Sequence, residues 1–434
     1  MELSVFGLGK LGAPLAVLLA AKGHRVTGID LDPGTVEAIQ AGKPLVQEPQ
    51  LEDYLKAAQG RLRATTDPEA ASATEASFLV VPTPSDDEGG FSCAHLLDAV
   101  RGCGKWLSRK SGYHLFVVVS TVAPGSMDGA IRQALEKAAG RPLGASLGLC
   151  YNPEFIALGS VIQDMLHPDL VLIGESDAKA GAMVEDIHRS MVENEPSIRR
   201  MSWINAELAK LAVNTFVTTK ISYANMLAEI CERLPGADID VVADAIGSDR
   251  RIGRSYLSGG TGFGGPCFPR DNRALAKVAT GFGMAADLPV ATDRVNRHQL
   301  DRLFALVLEH ATPQTIVGIM GLAYKPGTAV TEESHGVALA AGLLERGFSV
   351  VVHDPLASPG SIPALEGSTI AGTPRECWDR AEILVITLRC PEYRELLNAL
   401  HPVPGGPRLV VDCWRLGTAR SLPWRSMLQM GRCE

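Results

Sequence analysis

A single cysteine stands at the end of a glycine-rich stretch and just before a predicted helix. The stretch reads Thr261-Gly262-Phe263-Gly264-Gly265-Pro266-Cys267-Phe268-Pro269-Arg270-Asp271. Pro269 suits a first helical turn, because the fixed φ and missing N–H of proline are tolerated there. A thiol just before a helix N-terminus experiences the positive end of the helix dipole, which favours its nucleophilic thiolate form. Asp271, four residues further on, falls within reach of the same space.

The same residues permit a second interpretation, a tight turn that buries a structural cysteine. Cysteine outside disulfides is among the most buried residue types, so this interpretation has comparable support from the loop itself. Cys267 and Asp271 are therefore candidates for nucleophilic and acid–base chemistry whose role depends on the other motifs.

A second pair of candidate groups lies on a long predicted helix that covers about residues 205–233. Its pattern runs without a break to Leu234-Pro235-Gly236. Lys210 and Asn214 are four residues apart, so they share one face of that helix. An ammonium and an amide on an otherwise apolar stretch are unusual for packing alone, although a solvated helix face is the alternative.

Three further candidates follow predicted strands. Thr83 comes after the strand 78–81, Thr121 after 115–119 and Glu154 after 147–150. In an open parallel sheet the carboxyl ends of the strands face the ligand crevice, so these side chains are candidate cofactor or substrate contacts. The alternatives are hydroxyl turns or helix caps for the threonines and a helix-start carboxylate for Glu154.

The N-terminal residues carry a dinucleotide-binding pattern in full. A strand over 3–6, the turn Gly7-Leu8-Gly9-Lys10-Leu11-Gly12, a helix over 14–21 and a strand over 24–29 ending at Asp30 follow one another. Gly7 permits the tight turn, Gly9 lets the backbone approach a pyrophosphate, and Gly12 lets helix and strand pack closely. Asp30 is placed to bind a ribose diol, which favours NAD over NADP.

The composition is that of a soluble protein of two or three domains. The 434 residues are 46% hydrophobic and 21% charged with a net charge of -8, which gives no support to nucleic-acid or membrane partners. Nine cysteines without a CxxC pair argue against a disulfide framework or a structural zinc site. We therefore expect no metal and a reducing, cytoplasmic compartment. The apolar run 13–21 is too short to span a bilayer.

Alternating strands and helices predict an α/β fold. We expect two Rossmann-like doubly wound parallel-sheet domains, joined by a central all-α domain that contains the long helix. The strand 170–174 is expected to close the first sheet, and the strand 315–319 to open the second. Further helices are predicted over 239–246, from Pro269 to 281, and over 290–309. The second crevice lacks the full glycine pattern, which suggests a substrate that carries a nucleotide.

Taken in order, these motifs resemble the UDP-glucose/GDP-mannose dehydrogenase family over essentially the whole chain. Asp249-Arg250-Arg251-Ile252-Gly253 is most similar to the UDP-glucose branch. The segments that carry the resemblance are 7–12, 82–84, 120–122, 152–155, 206–210 with Asn214, and 262–271. The resemblance implies an NAD-dependent enzyme that oxidises the primary alcohol of a nucleotide sugar twice, to the carboxylate.

The resemblance also implies a role for each candidate side chain. Cys267 would be the nucleophile, while Asp271 and Lys210 would handle the proton and the developing oxyanion. Asn214 would help to hold that oxyanion, and Glu154 would activate or position water for thioester hydrolysis. The reaction needs a thiol, a carboxylate, an ammonium and an amide, and the chain offers all four.

The implied domains are an NAD-binding domain over 1–200, a central helical dimerisation and catalytic domain over 201–310, and a nucleotide-sugar (UDP)-binding domain over 311–434. A homodimer through the central helical domain would follow. The residues implied as substrate contacts are Phe155, Tyr256, Phe263, Gly264 and Lys325.

Several residues depart from the family's pattern. Pro266 precedes the nucleophile where a small polar residue or alanine is usual, and Glu332 replaces an arginine that supports the cofactor site. The arginine that would reach the sugar is replaced by Trp414 or by a shifted Arg415. These departures leave open UDP-N-acetylmannosamine or GDP-mannose as the substrate, and also a catalytically silent homologue that binds nucleotide sugars.

Overall fold

The computed structural model describes residues 1–44, 46, 48–86, 88–399, 406–417 and 426–433. These form two compact units, Met1–Ala212 and Val213–Glu434. The boundary falls inside one long helix, α8 (Trp203–Cys231). The prediction of that helix is confirmed, with both ends about two residues earlier than expected. The division into three domains stays a prediction.

The first unit is a sheet covered by helices on both faces. Its strands are β1 (Glu2–Phe6), β2 (Arg25–Ile29), β3 (Leu62–Thr65), β4 (Ala76–Leu79), β5 (His114–Val118), β6 (Leu147–Tyr151), β7 (Leu170–Glu175) and β8 (Ser197–Met201). The helices that precede α8 are α1 (Gly12–Ala21), α2 (Pro33–Gln40), α3 (Leu51–Ala57), α4 (Ala94–Leu107), α5 (Arg132–Ala139), α6 (Val161–Leu166) and α7 (Ala178–Met191).

The strand order of the first sheet is β3-β2-β1-β4-β5-β6-β7-β8. The first six positions follow the dinucleotide-binding order, whose direction reverses between β1 and β4. Neighbouring strands are parallel except for the antiparallel pair β6 and β7. The predicted doubly wound sheet is therefore confirmed, with one antiparallel pairing that the sequence pattern did not indicate.

Two apolar layers hold this sheet. The buried residues of α1, α3, α6 and α7 form one layer, and those of α4 and α5 form the other. Because β4, β5 and β6 are buried along their whole length, they appear in the sequence as continuous apolar runs rather than alternating ones. This burial explains why the pattern located the central strands.

The prediction that residues 170–174 close the first sheet is wrong, because β8 adds a further parallel strand beyond β7. β8 reads Ser-Ile-Arg-Arg-Met and is partly exposed, so it lacks the apolar signature of a central strand. Its Arg200 Nε lies 2.8 Å from Glu175 Oε2 at the end of β7. Pairing with β7, rather than an apolar pattern, places this edge strand.

The second unit begins with helices and continues as a parallel sheet. After α8 come α9 (Ile239–Gly247), α10 (Phe268–Gly281) and α11 (Asp287–His310). The strands are β9 (Ile316–Met320), β10 (Ser349–His353), β11 (Thr369–Ile370), β12 (Ile383–Ile386), β13 (Leu409–Asp412) and β14 (Ser426–Gln429), with α12 (His335–Glu345), α13 (Pro374–Arg380) and α14 (Pro391–Ala399) between them. Their order, β11-β10-β9-β12-β13-β14, repeats the plan of the first sheet.

The first turn of the second sheet repeats the first turn of the chain in a modified form. Gly321 follows β9 with φ +110°, and a Cβ on Gly336 would lie 2.0 Å from the Gly321 carbonyl oxygen. Asp354, at the end of β10, accepts hydrogen bonds from the N–H groups of Leu322 and Ala323 at 2.7 and 2.9 Å. A long loop separates Gly321 from α12, and it takes the place of the short glycine turn.

Candidate active site

The glycine turn after β1 has the geometry of a dinucleotide cradle. Gly7 has φ +85°, and a Cβ there would lie 2.4 Å from the Val80 carbonyl oxygen. A Cβ on Gly12 would lie 1.8 Å from the Gly7 carbonyl oxygen, so α1 starts directly against the turn. Beside Gly9, by contrast, no described residue other than its two chain neighbours has an atom within 4 Å of a Cβ position. That open side is where a pyrophosphate would approach the helix N-terminus, so these residues fit NAD.

Asp30 follows β2 and faces the same turn. Its Oδ2 accepts a hydrogen bond from the Leu8 N–H at 2.6 Å, and its Oδ1 accepts one from the Asp32 N–H at 3.0 Å. The carboxylate is partly exposed, which leaves it accessible to a ribose diol. A carboxylate in this position repels a 2′-phosphate, in keeping with NAD as the cofactor.

The structure brings the two candidate threonines together. The Thr83 hydroxyl donates a hydrogen bond to the Thr121 carbonyl oxygen at 2.7 Å. Thr83 is 5% exposed, and it follows β4 while Thr121 follows β5. This bond joins the ends of two neighbouring strands and is not a local hydroxyl turn.

A first cluster of predicted catalytic groups lies within the first unit. The Lys210 ammonium donates a hydrogen bond to the Glu154 carbonyl oxygen at 2.7 Å and lies 4.5 Å from the centre of the Phe155 ring. Lys210 is 6% exposed, so the alternative of a solvated helix face is wrong for this residue. Burial raises the pKa of the Glu154 carboxyl to about 7, although the Lys210 charge opposes that shift.

The turn that carries Glu154 is held by a buried pair that the sequence analysis missed. Asn152 donates from Nδ2 to the Leu172 carbonyl oxygen at 3.0 Å, and its Oδ1 lies 2.7 Å from His188 Nε2. Burial lowers the pKa of His188 to about 4, so the imidazole is neutral near pH 7. No sequence signal indicated His188, because a single histidine on an amphipathic helix is compatible with many roles.

A second cluster, in the second unit, is organised around Cys267. This residue occupies the N-cap position of α10, with Pro269 in the first turn as the sequence predicted. All nine cysteines lie in the described part of the chain, and Cys267 alone among them is exposed. The alternative of a buried structural cysteine is therefore wrong. The Asp271 N–H donates to the Cys267 carbonyl oxygen at 2.8 Å, so Asp271 belongs to the first helical turn.

Asp271 is a fully buried carboxylate with specific partners. The Asn214 amide donates to Asp271 Oδ2 at 2.6 Å, and Arg270 Nε lies 3.4 Å from Oδ1. Asp271 is 0% exposed and Asn214 is 8% exposed. Asn214 thus faces the start of α10 and not solvent, which overturns the alternative of a solvated face for this residue as well.

Two further amides hold the glycine-rich stretch in place. Asn225 Oδ1 accepts a hydrogen bond from the Gly260 N–H at 2.9 Å. Asn296 binds both backbone groups of Phe263, accepting from its N–H at 2.7 Å and donating to its carbonyl oxygen at 2.9 Å. A sequence signal existed for the first of these, because Asn225 lies three helical turns after Asn214 on the same face of α8.

The loop after β9 packs on the glycine-rich stretch. A Cβ on Gly264 would lie 2.3 Å from the Glu333 carbonyl oxygen, and a Cβ on Gly265 would lie 2.6 Å from the ring of Tyr324. Gly265 also has φ +83°, so a larger residue there would be strained as well as crowded. Lys325 follows Tyr324 on this loop and is half-buried. The predicted substrate residues Gly264 and Lys325 are therefore in neighbouring segments.

Phe268, the residue after Cys267, belongs to a cluster of aromatic rings. Phe268 makes edge-on contacts with both Tyr256 and Phe263, with ring centres 6.4 Å apart in each case. Tyr256 is 51% exposed and has φ +66°, which is uncommon for a bulky residue, whereas Phe263 is 5% exposed. Phe263 therefore packs inside the loop, whereas Tyr256 is accessible to solvent.

The described residues contain no helix that is long and apolar enough to cross a membrane. Within the same residues there is no group of three or more His, Cys, Asp or Glu side chains that could hold a metal ion.

The first sheet, its open glycine turn and the carboxylate at the end of β2 define a dinucleotide-binding α/β protein with a second Rossmann-like sheet. Family models match three successive segments. They are the NAD binding domain (1–192), the central domain (204–298) and the UDP binding domain (318–418) of the UDP-glucose/GDP-mannose dehydrogenase family. The chain belongs to this family. It is an oxidoreductase of the nucleotide-sugar dehydrogenase type, and its cofactor is NAD.

Relatives and a solved structure agree with this assignment. The chain is 34% identical to the UDP-glucose 6-dehydrogenase AglM of Haloferax volcanii, over 97% of this chain and 98% of that protein. It is also 34% identical to the GDP-mannose 6-dehydrogenase of Pseudomonas aeruginosa, over 82% of this chain and 81% of that protein. A UDP-glucose dehydrogenase structure from Pyrobaculum islandicum superimposes with a TM-score of 0.90 at 35% identity, covering 99% of this chain and 98% of that one.

Proposed function

We propose that this enzyme oxidises the primary alcohol of UDP-glucose to the carboxylate of UDP-glucuronate, with two NAD⁺ consumed per sugar. The observation that carries the proposal is an exposed cysteine at the N-cap of α10, one helical turn before the buried carboxylate of Asp271 and its partner Asn214. A thiol at a helix N-terminus is suited to nucleophilic attack on a carbonyl. AglM and the Pyrobaculum enzyme support UDP-glucose as the substrate.

The reaction has two oxidations separated by a covalent step. A base removes the hydroxyl proton as hydride leaves the alcohol carbon, which gives an aldehyde. The Cys267 thiolate then adds to the aldehyde carbon, and the resulting thiohemiacetal loses a second hydride and its proton to become a thioester. Water cleaves the C–S bond, which yields the carboxylate and returns the thiol. NAD⁺ held at the glycine turn would accept the hydride of each oxidation, with the first NADH replaced by a second NAD⁺ in between.

Each remaining role falls to a side chain of the required type. Asp271 and Lys210 handle the alcohol proton and the developing oxyanion, and Asn214 helps to hold that oxyanion. Glu154 activates or positions the hydrolytic water. A carboxyl with a pKa of about 7 is present in both protonation states near neutral pH, which suits a group that must accept a proton.

The sugar nucleotide contacts are assigned to Phe155, Tyr256, Phe263, Gly264 and Lys325. The packing of Gly264 on the loop that carries Lys325 supports this grouping, since both lie in segments that touch. The central segment 201–310 would supply catalytic residues and the dimer contact, and 311–434 would bind the nucleotide.

A homodimer through the long helix is part of the proposal. In the second unit, α8 exposes a series of large apolar side chains whose spacing places them along one broad side of the helix. They are Val213, Phe216, Tyr223, Met226 and Ile230, between 38% and 66% exposed. Contiguous apolar surface of this kind marks interaction sites. We propose the cytoplasm as its compartment, because nine scattered cysteines with no CxxC pair in the sequence argue against a disulfide framework.

The test is a panel of UDP-glucose, UDP-N-acetylmannosamine and GDP-mannose, with NADH counted per sugar consumed. The expected result is two NADH per UDP-glucose and the uronic acid as product. Preference for another sugar nucleotide would replace the substrate but keep the mechanism. Calorimetric binding of a UDP-sugar with no NADH from any of the three would instead favour a catalytically silent homologue.

A further inference from the structure

Arg415 is a buried arginine in an unusual backbone position. It follows β13 in the left-handed region, with φ +56°, and its side chain is 3% exposed. A bulky residue in that conformation is uncommon, and it persists where the surrounding contacts fix it. The structure shows what those contacts are.

The Arg415 guanidinium joins three segments. Its Nε and Nη2 bind the two carboxylate oxygens of Asp240 in α9, at 2.8 and 3.0 Å. Nη2 also donates to the Gly259 carbonyl oxygen at 2.9 Å, and Nη1 donates to the Met430 carbonyl oxygen at 2.5 Å. Four of the five N–H donors that an arginine carries are accounted for by these bonds. The side chain is therefore committed to the protein interior and not to a sugar.

This arrangement corrects the expectation that Arg415 takes the place of the family's sugar-binding arginine. A two-oxygen bond to a carboxylate fixes direction as well as distance, because the guanidinium is planar and rigid. Burial by itself would raise the pKa of Asp240, but hydrogen bonds and charge from Arg415, with help from Arg432 and Arg254, hold it below its ordinary value. Asp240 therefore stays charged and keeps its ion pair with Arg415.

Gly259 lies two residues before the glycine-rich stretch 261–271 and leads into it. A Cβ there would lie 2.5 Å from the Ala228 Cβ of α8, so the backbone touches the helix directly. The next residue, Gly260, donates its N–H to Asn225, as described above. The position of the backbone at 259–260 thus sets where the stretch that ends in Cys267 begins.

Trp414 contacts the next residue, Gly260. A Cβ on Gly260 would lie 2.7 Å from the Trp414 ring, and the indole N–H donates to the Thr387 carbonyl oxygen at 2.9 Å. The ring is therefore fixed at the end of β12 while it covers Gly260. Trp414 and Arg415 act together on the two residues that open the stretch.

We propose that Arg415 and Trp414 are positioning residues that fix the entry of the 259–267 stretch and, through it, the place of the Cys267 thiol. The role assigned to Cys267 rests on the proposed function, whereas the ordering of the stretch does not. Arg415 and Trp414 both stand where the chain departs from the family's pattern. In this proposal they connect the second sheet to the 259–267 stretch that ends in Cys267.

A matched control separates this role from general stability. Arg432 Nε donates to Asp238 Oδ2 at 2.7 Å, so it ties the segment 426–433 to the N-cap of α9, close to where Arg415 binds. Arg432 Nη1 also donates to Gln429 Oε1 at 2.9 Å. Arg415→Met and Arg432→Met each remove one arginine from the same region, and they differ in the contact with Gly259.

The first experiment measures amide hydrogen exchange of the peptides that cover 258–267. Arg415→Met should speed their exchange by about tenfold or more, whereas Arg432→Met should leave it within about twofold of wild type. The exchange rate of Arg415→Lys should lie between those of the two Met variants, because lysine keeps the positive charge but lacks the planar guanidinium that binds both carboxylate oxygens. Equal exchange in the two Met variants would overturn the proposal. If Arg415→Met does not fold, Trp414→Leu provides the same comparison through Gly260.

The second experiment measures how the same substitutions change the reactivity of the Cys267 thiol. The rate at which iodoacetamide alkylates Cys267 should change by at least about threefold in Arg415→Met and not in Arg432→Met. With the preferred sugar nucleotide, kcat should fall by about 10² with KM little changed, because misplacing a reacting group affects the chemical step. A rise in KM alone, without a change in kcat, would mean that Arg415 binds substrate and would refute positioning. If no sugar nucleotide is oxidised, exchange and alkylation still decide the question.

Discussion

The Asn214 amide lies 2.6 Å from the Asp271 carboxylate, which is fully buried at the start of the helix that Cys267 caps. Asn214 comes from α8 and Asp271 from α10, so this bond joins the long helix to the helix that follows Cys267. A buried carboxylate that loses a hydrogen-bond donor keeps its full desolvation penalty. Mutations of Asn214 and Asp271 can therefore separate the pair's contribution to stability from its contribution to the proposed chemistry.

Replacing Asn214 with Leu should lower the free energy of unfolding by about 1–3 kcal/mol, because Asp271 loses the amide donor at 2.6 Å. Urea unfolding of the variant and the wild type measures this difference. The exchanged double variant Asn214→Asp with Asp271→Asn keeps an amide–carboxylate bond but moves the charge. It should recover most of the stability and not the activity. Recovery of both would show that the pair has no role beyond packing.

Replacing Cys267 with Ser should abolish formation of the uronic acid while leaving NAD binding largely unchanged. The hydroxyl is a weaker nucleophile than a thiolate, and the N-cap position of α10 tolerates serine well, so the fold should persist. Product analysis and NAD titration by fluorescence measure the two properties. Undiminished acid production by this variant would refute the covalent step.

Glu154 should make the stability of the protein depend on pH. Its folded pKa of about 7 is raised above the ordinary 4.5, because burial disfavours the charged form. The stability that the neutral carboxyl contributes is fully present below pH 4.5 and is lost as the pH rises to about 7. The unfolding free energy of wild type relative to Glu154→Gln should therefore fall across that window. A difference that is constant with pH would contradict the raised pKa.

The same residue should control the pH dependence of acid formation. If Glu154 accepts a proton from the hydrolytic water, the rate of thioester hydrolysis rises as the pH passes about 7. Glu154→Gln should slow that step by about 10²–10⁴-fold and remove this dependence. Single-turnover measurements that follow product acid rather than NADH isolate the step.

Replacing Asp30 with Ser should relax the preference for NAD over NADP. The carboxylate follows β2 beside the glycine turn, where it would repel a 2′-phosphate. We expect KM for NAD⁺ to rise by about tenfold and KM for NADP⁺ to fall, since loss of one charged hydrogen bond is worth roughly 1.5–3 kcal/mol. Steady-state kinetics with both cofactors measure the ratio, and an unchanged ratio would assign Asp30 to the turn alone.

Replacing Phe216 with Glu should weaken the proposed dimer. Phe216 is 66% exposed on α8, and a charge placed in an apolar interface is costly. Phe282→Glu is the matched control, since Phe282 is 79% exposed and follows α10 rather than lying on α8. Sedimentation analysis should show a larger monomer fraction for Phe216→Glu alone. A monomer at all concentrations in the wild type would remove the dimer from the proposal.

Much of the fold followed from the sequence because the central strands are buried on both faces. Runs such as 115–118 and 383–386 are apolar without interruption and fall within strands of the structure. The helix after Cys267 was also predictable, since Pro269 and the glycines before it mark a helix start, and α10 ends at Gly281 as expected. β8 escaped prediction because an edge strand with two arginines carries no apolar signature.

The sequence by itself determined which kinds of group are present and the local geometry around them. Gly7, Gly9, Gly12 and Asp30 follow one another along β1, α1 and β2, so local spacing was enough to indicate a dinucleotide turn. Cys267 likewise owes its N-cap position to its immediate neighbours. Local steric and hydrogen-bonding rules act over a few residues, and such rules can be read from spacing.

Only the tertiary structure decided the partners that lie far apart along the chain. Asn214 meets Asp271 across 57 residues, and Arg415 meets Gly259 across 156. Burial in the folded chain also raises the pKa of Glu154, and the opposing charge belongs to Lys210, 56 residues further along. A side chain's partner and its dielectric environment are properties of the packed chain, so no local spacing rule could give Arg415 its place beside Gly259.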